Sequence, residues 1–154
     1  MMSNSNTATK ATAAKAPFVL ADHVERRPRL EGTWLNVFDV TVPPSAGTPL
    51  HSHASPEVFR IIEGSLTIQR MTDGGLTELT AVAGDIVTIP EHVPHGYRNP
   101  GHAPAVFSAI VDREMALYFE VADSGKPVPG TPKDEAAEQV IVAAGAYGIR
   151  ILAA

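Results

Sequence analysis

The sequence contains no cysteine, which excludes disulfide bonds, thiolate metal sites and a cysteine nucleophile. It also lacks an apolar run near the ~20 residues that a membrane-spanning helix needs, so we expect no membrane partner. Its 12 basic residues are outnumbered by 17 acidic ones, and no basic footprint for nucleic acid is present. Segment 1–16 lacks the apolar centre of a secretory signal. We therefore expect a cytoplasmic protein that holds any metal through histidine, carboxylate and water.

The length of 154 residues suits one domain. Residues 1–16 are rich in serine, asparagine, threonine, alanine and lysine and are expected to form a disordered tail. Residues 17–112 contain short apolar segments of period two, separated by turns such as Asp73-Gly74-Gly75. This pattern favours an all-β sandwich or barrel.

Residues 113–154 are expected to form a helical extension packed on the β region. The apolar spacing predicts one short helix over residues 113–122 and a second over residues 134–147, with Gly148 as the stop signal. These helices would cover one opening or one outer face of the β region. Met115 in the first helix is a candidate for closing one opening.

Two further segments precede the first chemically informative stretch. Residues 33–42 alternate in hydrophobicity and are predicted to form a strand. Trp34, at its start, is expected to pack in the core or in an interface. Residues 21–32 carry many charges and are expected to form a solvated connection.

The residues with the clearest chemistry are His51, His53 and Glu57. Residues two apart in an extended chain point to the same face, so both imidazoles would converge on one point. A bend at Pro56 would let Glu57 reach the same point. Two imidazoles and one carboxylate form half of a metal site, and the missing ligand is expected from another strand, with His95 as the candidate. By themselves, the two histidines are equally compatible with solvated loop positions.

The segment around His95 resembles the second signature of the cupin family, G-x5-P-x-G-x2-H-x3-N. Gly84, Pro90, His95 and Asn99 are in register with that signature. His92 stands where the signature has its second glycine. This departure either changes a turn or adds an imidazole near the metal.

The earlier stretch resembles the first cupin signature, G-x5-H-x-H-x3-E-x6-G. His51, His53, Glu57 and Gly64 are in register, and Ser45 stands in place of the leading glycine. That departure affects a turn and leaves the ligand positions unchanged.

The resemblance covers residues 33–111 and implies a cupin-type jelly-roll β-barrel. The chain is similar to the small single-domain bacterial cupins that are described as quercetin-dioxygenase-like, and we expect it to have two short C-terminal helices after the barrel. The resemblance implies that His51, His53, Glu57 and His95 bind one divalent transition metal: Fe, Mn, Ni, Zn or Cu. It also implies a homodimer, paired through β-strands; the alternative is a monomer with the N-terminal strand packed on its own sheet.

The function that the resemblance implies is a dioxygenase-type oxidoreductase acting on a small aromatic or enolic compound. Three imidazoles and one carboxylate leave coordination positions open, as catalytic metal sites do. Glu57 would be a ligand and the catalytic base, or a ligand alone. A non-oxidative isomerase, cyclase or lyase remains an alternative, as does a cupin that binds a small molecule without catalysis.

Four side chains are candidates for the surroundings of the metal. Phe59 shares parity with Glu57 and either lines a cavity or packs in the core. Tyr97 shares parity with His95 and either forms a hydrogen bond with a ligand or fills the barrel. Phe119, like Met115, would lie over one opening of the barrel if the first helix covers it.

Overall fold

The structure is a computed structural model that describes residues 15–20, 22–123 and 144–153. These residues form eleven strands and one nine-residue helix, and residues 144–146 are also helical. The elements are β1 Phe18–Val19, β2 Glu25–Leu30, β3 Leu35–Val42, β4 Leu50–Ser52, β5 Glu57–Glu63, β6 Ser65–Thr72, β7 Gly75–Val82, β8 Ile86–Ile89, β9 His95–Arg98, β10 Ala105–Asp112, α1 Arg113–Val121 and β11 Arg150–Ala153.

The strands form two antiparallel sheets. One has the order β1-β2-β3-β10-β5-β8, and the other has the order β11-β4-β9-β6-β7. Consecutive strands alternate between the sheets at several points, as in a jelly roll. The predicted all-β fold class is therefore confirmed, with two sheets in place of one closed ring.

The core lies between the two sheets because one face of each central strand is apolar. Along β3, Phe38, Val40 and Val42 are buried while the residues between them are partly exposed. Leu66 and Ile68 follow the same period on β6, in the opposite sheet. This alternation fixes which face of each strand points inward.

Several predicted boundaries are confirmed. The hairpin between β6 and β7 turns at residues 73–74, with Thr72 opposite Gly75. Helix α1 begins after Asp112, whose side chain accepts a hydrogen bond from the Met115 backbone N–H at 3.0 Å. Gly148 has φ 72°, a conformation suited to ending a helix.

Two expectations are wrong, and a third is narrowed. Trp34 is 80% exposed, so it does not pack in the core of this chain, and only the expected packing in an interface is left. The segment expected to be a solvated connection contains strand β2, with Arg26 buried. Residues 150–153, which were assigned to the helical extension, form strand β11 and pair with β4.

The predicted second helix falls mostly outside the described residues, as does nearly all of the N-terminal tail. Helix α1 packs on β3 and β10, with the Phe119 ring against the edge of Phe38 at 5.1 Å. Among the described residues, no helix has the length and apolar character that crossing a membrane requires.

Candidate metal centre

Three histidines meet between the two sheets. His51 on β4 and His95 on β9 are paired in register, and His53 follows β4 directly. Their ring centroids are 4.3 Å apart for His51 and His95, 4.9 Å for His53 and His95, and 5.3 Å for His51 and His53. One ring nitrogen from each lies within 4.8 Å of the others, so the three are positioned to hold a metal ion.

Glu57 enters this cluster from the other sheet, as the first residue of β5. Its Oε2 lies 3.3 Å from His95 Nε2 and 3.6 Å from His53 Nε2. The side chain of Glu57 is 6% exposed. The structure therefore brings together all four residues that the sequence singled out.

Backbone carbonyls orient two of the rings. Nδ1 of His51 lies 2.7 Å from the Pro49 carbonyl oxygen, and Nδ1 of His95 lies 2.8 Å from that of Val93. A carbonyl can only accept, so both Nδ1 atoms carry the proton and donate. In the neutral tautomer that these contacts select, Nε2 carries no proton and can bind a metal.

Several polar atoms of the cluster form no hydrogen bond with the described residues, although Glu57 lies near two of them. Nδ1 and Nε2 of His53 and Nε2 of His95 are buried without a hydrogen bond. A buried polar atom that remains unpaired costs about 1–3 kcal/mol. A divalent metal would satisfy the two Nε2 atoms, so these residues fit such an ion.

The pKa values favour cation binding. Burial lowers the pKa of His51 to about 4, and the neighbouring His95 contributes in the same direction. Burial disfavours a charged Glu57, but its interactions with His53 and His95 outweigh burial and hold the pKa of Glu57 below its usual value. At neutral pH the cluster thus offers a neutral His51 and an ionised Glu57, as metal binding requires.

The pKa of His53 moves in the opposite direction. Burial acts to lower it, but the interaction with Glu57 outweighs burial and raises the pKa of His53. Without a metal, Glu57 therefore favours a proton on His53, and metal binding would displace that proton.

The two departures from the family signatures share one backbone conformation. Ser45 has φ 66° and His92 has φ 60°, both in the left-handed region that glycine adopts most readily. The His92 side chain is exposed, and its backbone N–H donates to the His53 carbonyl at 2.7 Å. His92 is therefore a turn residue whose imidazole lies outside the histidine cluster.

Asn99, the last residue of the second signature, holds the loop after β9. Its Nδ2 donates to the carbonyls of Val42 at 3.0 Å and Ala103 at 2.8 Å. Its Oδ1 accepts from the Gly101 N–H at 2.9 Å. This buried amide fixes the strand that carries His95 relative to β3.

Comparison with known proteins agrees with this geometry. The family model described as "Cupin domain" matches residues 38–111. The chain belongs to the cupin superfamily.

An RmlC-like cupin from Shewanella frigidimarina superimposes with a TM-score of 0.58 at 17% identity, covering 69% of this chain and 91% of that one. A polyketide cyclase from Streptomyces resistomycificus has a TM-score of 0.58 at 19% identity, covering 73% and 80%. These two likenesses concern the cupin fold.

Curated relatives of this cupin include a 3-hydroxyanthranilate 3,4-dioxygenase from Yarrowia lipolytica. The two are 31% identical over 71 residues, which is 46% of this chain and 40% of that protein. The chain thus spans about two fifths of the length of the curated relative.

A cavity of about 80 Å³ adjoins the histidine cluster of this cupin, with His51, Glu57 and His95 in its wall. Phe59 lines the cavity, as one interpretation of the sequence predicted. Helix α1 covers it, and Phe119 lies in the wall, which confirms the expectation for this helix.

Asp22 and Arg26 also line this cupin cavity, and sequence reasoning missed both. Their side chains are 15% and 5% exposed and form a salt bridge of 2.9 Å. Burial disfavours the charge on Arg26, but Asp22 outweighs it and keeps the pKa of Arg26 above its usual value. The sequence feature that could have indicated a buried Arg26 is its position two residues after the apolar Val24, and both residues are buried in the structure.

Proposed function

We propose that this cupin is a metal-dependent, dioxygenase-type oxidoreductase that acts on a small aromatic or enolic compound. The proposed metal ligands are His51, His53, Glu57 and His95. The observation that carries the proposal is the convergence of these four side chains, three of which line a small cavity with aromatic walls. The likeness to 3-hydroxyanthranilate 3,4-dioxygenase over part of the chain supports the same reaction class.

The residues of the site would have two roles, which are to bind the metal ion and to accept a proton from the substrate. A divalent transition metal bound here would supply Lewis acidity and, if redox-active, electron transfer to dioxygen. The Pro49 and Val93 carbonyls keep His51 and His95 in the correct tautomer. We propose that Glu57, which is ionised and buried, accepts the phenol or enol proton of the substrate in addition to being a ligand.

The dimensions of the cavity restrict the substrate. The cavity of about 80 Å³ is smaller than an apolar cavity of roughly 150 Å³ that binds benzene, so an occupant can be no larger than a single ring, and even that ring requires the walls to move apart. Phe59 and Phe107 are in contact in the wall, with centroids 4.7 Å apart. These walls give an apolar surface to the side of the cluster where a substrate would lie. The cavity therefore favours single-ring compounds over three-ring flavonols.

The test starts with elemental analysis of untagged protein purified without chelator, followed by oxygen uptake with catechols, β-diketones and flavonols. We expect about one redox-active metal per chain and substrate-dependent uptake that is greatest for single-ring compounds. Bound metal without uptake would refute the oxygenase and favour an isomerase, cyclase, lyase or binding role. No metal even after reconstitution would refute the metal centre.

We also propose that the protein is a cytoplasmic homodimer. Trp34 and Leu35 are 80% and 61% exposed at the start of β3, and Phe18 on β1 belongs to the same sheet. Sedimentation analysis of the protein and of Trp34→Ser tests this interface, since the substitution should shift the population toward monomer. The division into a tail of residues 1–16, a barrel of 17–112 and an extension from 113 onward is likewise a proposal.

A further inference from the structure

A buried ion pair lies in the wall of the cavity, at the end that Asp22, Arg26 and Tyr97 form. Asp22 Oδ2 accepts from Arg26 Nη2 at 2.9 Å, and Asp22 Oδ1 accepts from Arg26 Nη1 at 3.2 Å. Asp22 Oδ1 also accepts from the Val24 backbone N–H at 2.9 Å. The carboxylate is thus fixed by its own backbone and holds the guanidinium in a two-point contact.

The other contacts of Arg26 also involve its guanidinium group, so little of its positive charge remains available to a ligand. Nη1 also donates to the Val24 carbonyl at 3.3 Å, and the guanidinium carbon lies 5.0 Å from the centre of the Phe119 ring. Of the described residues that line the cavity, Arg26 is the only lysine or arginine. This end of the cavity is therefore polar but electrically neutral.

Tyr97 connects this ion pair to the cavity. Its hydroxyl oxygen accepts a long hydrogen bond of 3.5 Å from Arg26 Nη2. No described residue accepts a hydrogen bond from the Tyr97 O–H group, although the residue is only 7% exposed. Tyr97 lies two positions after His95 on β9, so the two side chains share a face of the strand.

The ring of Tyr97 is held in place by packing. It makes edge contacts with Phe59 and Phe107, at centroid distances of 6.0 and 5.3 Å. Because Arg26 occupies an acceptor position of the hydroxyl oxygen, the O–H proton remains available to a molecule in the cavity. The result is a fixed hydrogen-bond donor in the same cavity wall as His51, Glu57 and His95.

We propose that Tyr97 determines substrate specificity by donating a hydrogen bond to an uncharged oxygen of a single-ring compound, and that the Asp22–Arg26 pair positions Tyr97 and rejects a carboxylate at that end. The inference rests on the proposed function, because the compound would also contact the proposed metal ligands His51, Glu57 and His95, which line the same cavity. A carboxylate brought to this end would lose its hydration without gaining an unpaired cation. An amide, ketone or phenol oxygen needs only the Tyr97 proton.

The test uses two ring compounds that differ in charge but hardly in shape, 3,4-dihydroxybenzamide and 3,4-dihydroxybenzoate. Each is titrated calorimetrically into zinc-loaded protein, which avoids oxidation of the ring. We expect the amide to bind at least about tenfold more tightly than the benzoate, since one is neutral and the other carries an uncompensated charge. Benzoate binding equal to or tighter than amide binding would overturn the inference, and so would the failure of both compounds to bind.

Tyr97→Phe tests the donor directly. Loss of one hydrogen bond should weaken amide binding about fivefold to tenfold at unchanged zinc content. The matched control is Tyr147→Phe, the same chemical change at a half-buried tyrosine that packs on Tyr118 outside the cavity wall. Equal amide affinities for Tyr97→Phe and the unchanged protein would contradict the role of the hydroxyl.

Asp22→Asn tests the positioning role of the ion pair. Removing the compensating charge should shift the ratio of benzoate to amide affinity toward benzoate by about tenfold or more, an effect that a merely structural role would not produce. If this variant does not fold, Tyr97→Phe and the affinity ratio of the unchanged protein still decide the question. A protein that meets these expectations but never consumes oxygen would refute the proposed oxygenase and leave this inference standing.

Discussion

His51 and His95 lie directly opposite each other in the pairing of β4 with β9, and their ring centroids are 4.3 Å apart. The pairing of two backbones thus sets the distance between two proposed ligands that are far apart in sequence. The third histidine and Glu57 complete the cluster from the end of β4 and from the facing sheet.

Replacing either of these paired histidines should remove tight metal binding. We expect His51→Ala and His95→Ala each to weaken zinc binding more than ~100-fold. Loss of a residue that only hydrogen-bonds to a metal ligand costs about 10- to 100-fold in affinity, and loss of the ligand itself should cost more. His102→Ala is the control, since His102 is exposed in a loop. Zinc content after dialysis measures the effect, and circular dichroism checks the fold. Full occupancy in both variants would show that the site is assigned wrongly.

Glu57→Gln tests whether the carboxylate charge of Glu57 contributes to metal binding. The substitution keeps the shape of the side chain but removes the charge, so we expect zinc affinity to fall about 10- to 100-fold. Competition with a chromophoric chelator gives the constant. Glu91→Gln, at an exposed position, serves as the control for loss of one negative charge. Unchanged affinity in Glu57→Gln would exclude a ligand role for Glu57.

The left-handed positions Ser45 and His92 predict two stabilising substitutions. Ser45→Gly and His92→Gly should each raise the free energy of unfolding by up to about 1 kcal/mol, because relief of backbone strain exceeds the entropy cost of glycine. Urea denaturation measures this, and zinc content should not change. Thr88→Gly, on the exposed face of β8, should destabilise the protein instead. A loss of stability in His92→Gly would contradict the interpretation of this residue as a strained turn.

Gly47 occupies a position without room for a side chain. A Cβ there would lie 2.0 Å from the Tyr97 carbonyl oxygen and 2.8 Å from the Arg98 Cα. Since both neighbours are backbone atoms, Gly47→Ala should lower the free energy of unfolding by about 2 kcal/mol or more. Gly145→Ala is the matched control, because no atom lies within 4 Å of its Cβ position. Thermal unfolding of the two variants makes the comparison, and equal melting temperatures would be inconsistent with this packing.

Local patterns were sufficient to predict most of the fold and three of the four residues of the candidate site. The alternation around Phe38 and Val40 predicted β3, and the spacing of His51, His53 and Glu57 predicted their convergence. His95 required the family signature, because no local pattern states which strands will pair. The same limit explains β11, whose pairing with β4 depends on an open strand edge far away in the sequence.

Arg26 shows a different limit of sequence reasoning. The charge density around it suggested a solvated segment, since unpaired arginine is almost never buried. Its burial depends on Asp22, four positions earlier, and on the hydroxyl of Tyr97, which only the fold brings near. Trp34 shows the reverse case. Its large apolar ring suggested burial, but the sequence does not show whether a ring beside the end of a strand faces the core or the solvent.

The pairing of β11 with β4 also has a consequence for biosynthesis. Ile151 lies opposite His51, so one edge of the strand that carries this histidine stays open until residues 150–153 have been translated. During translation, the segment that carries His51 and His53 therefore emerges before β11, the strand that pairs with the outer edge of β4. We expect the nascent chain to acquire metal only after this late segment has emerged from the exit tunnel.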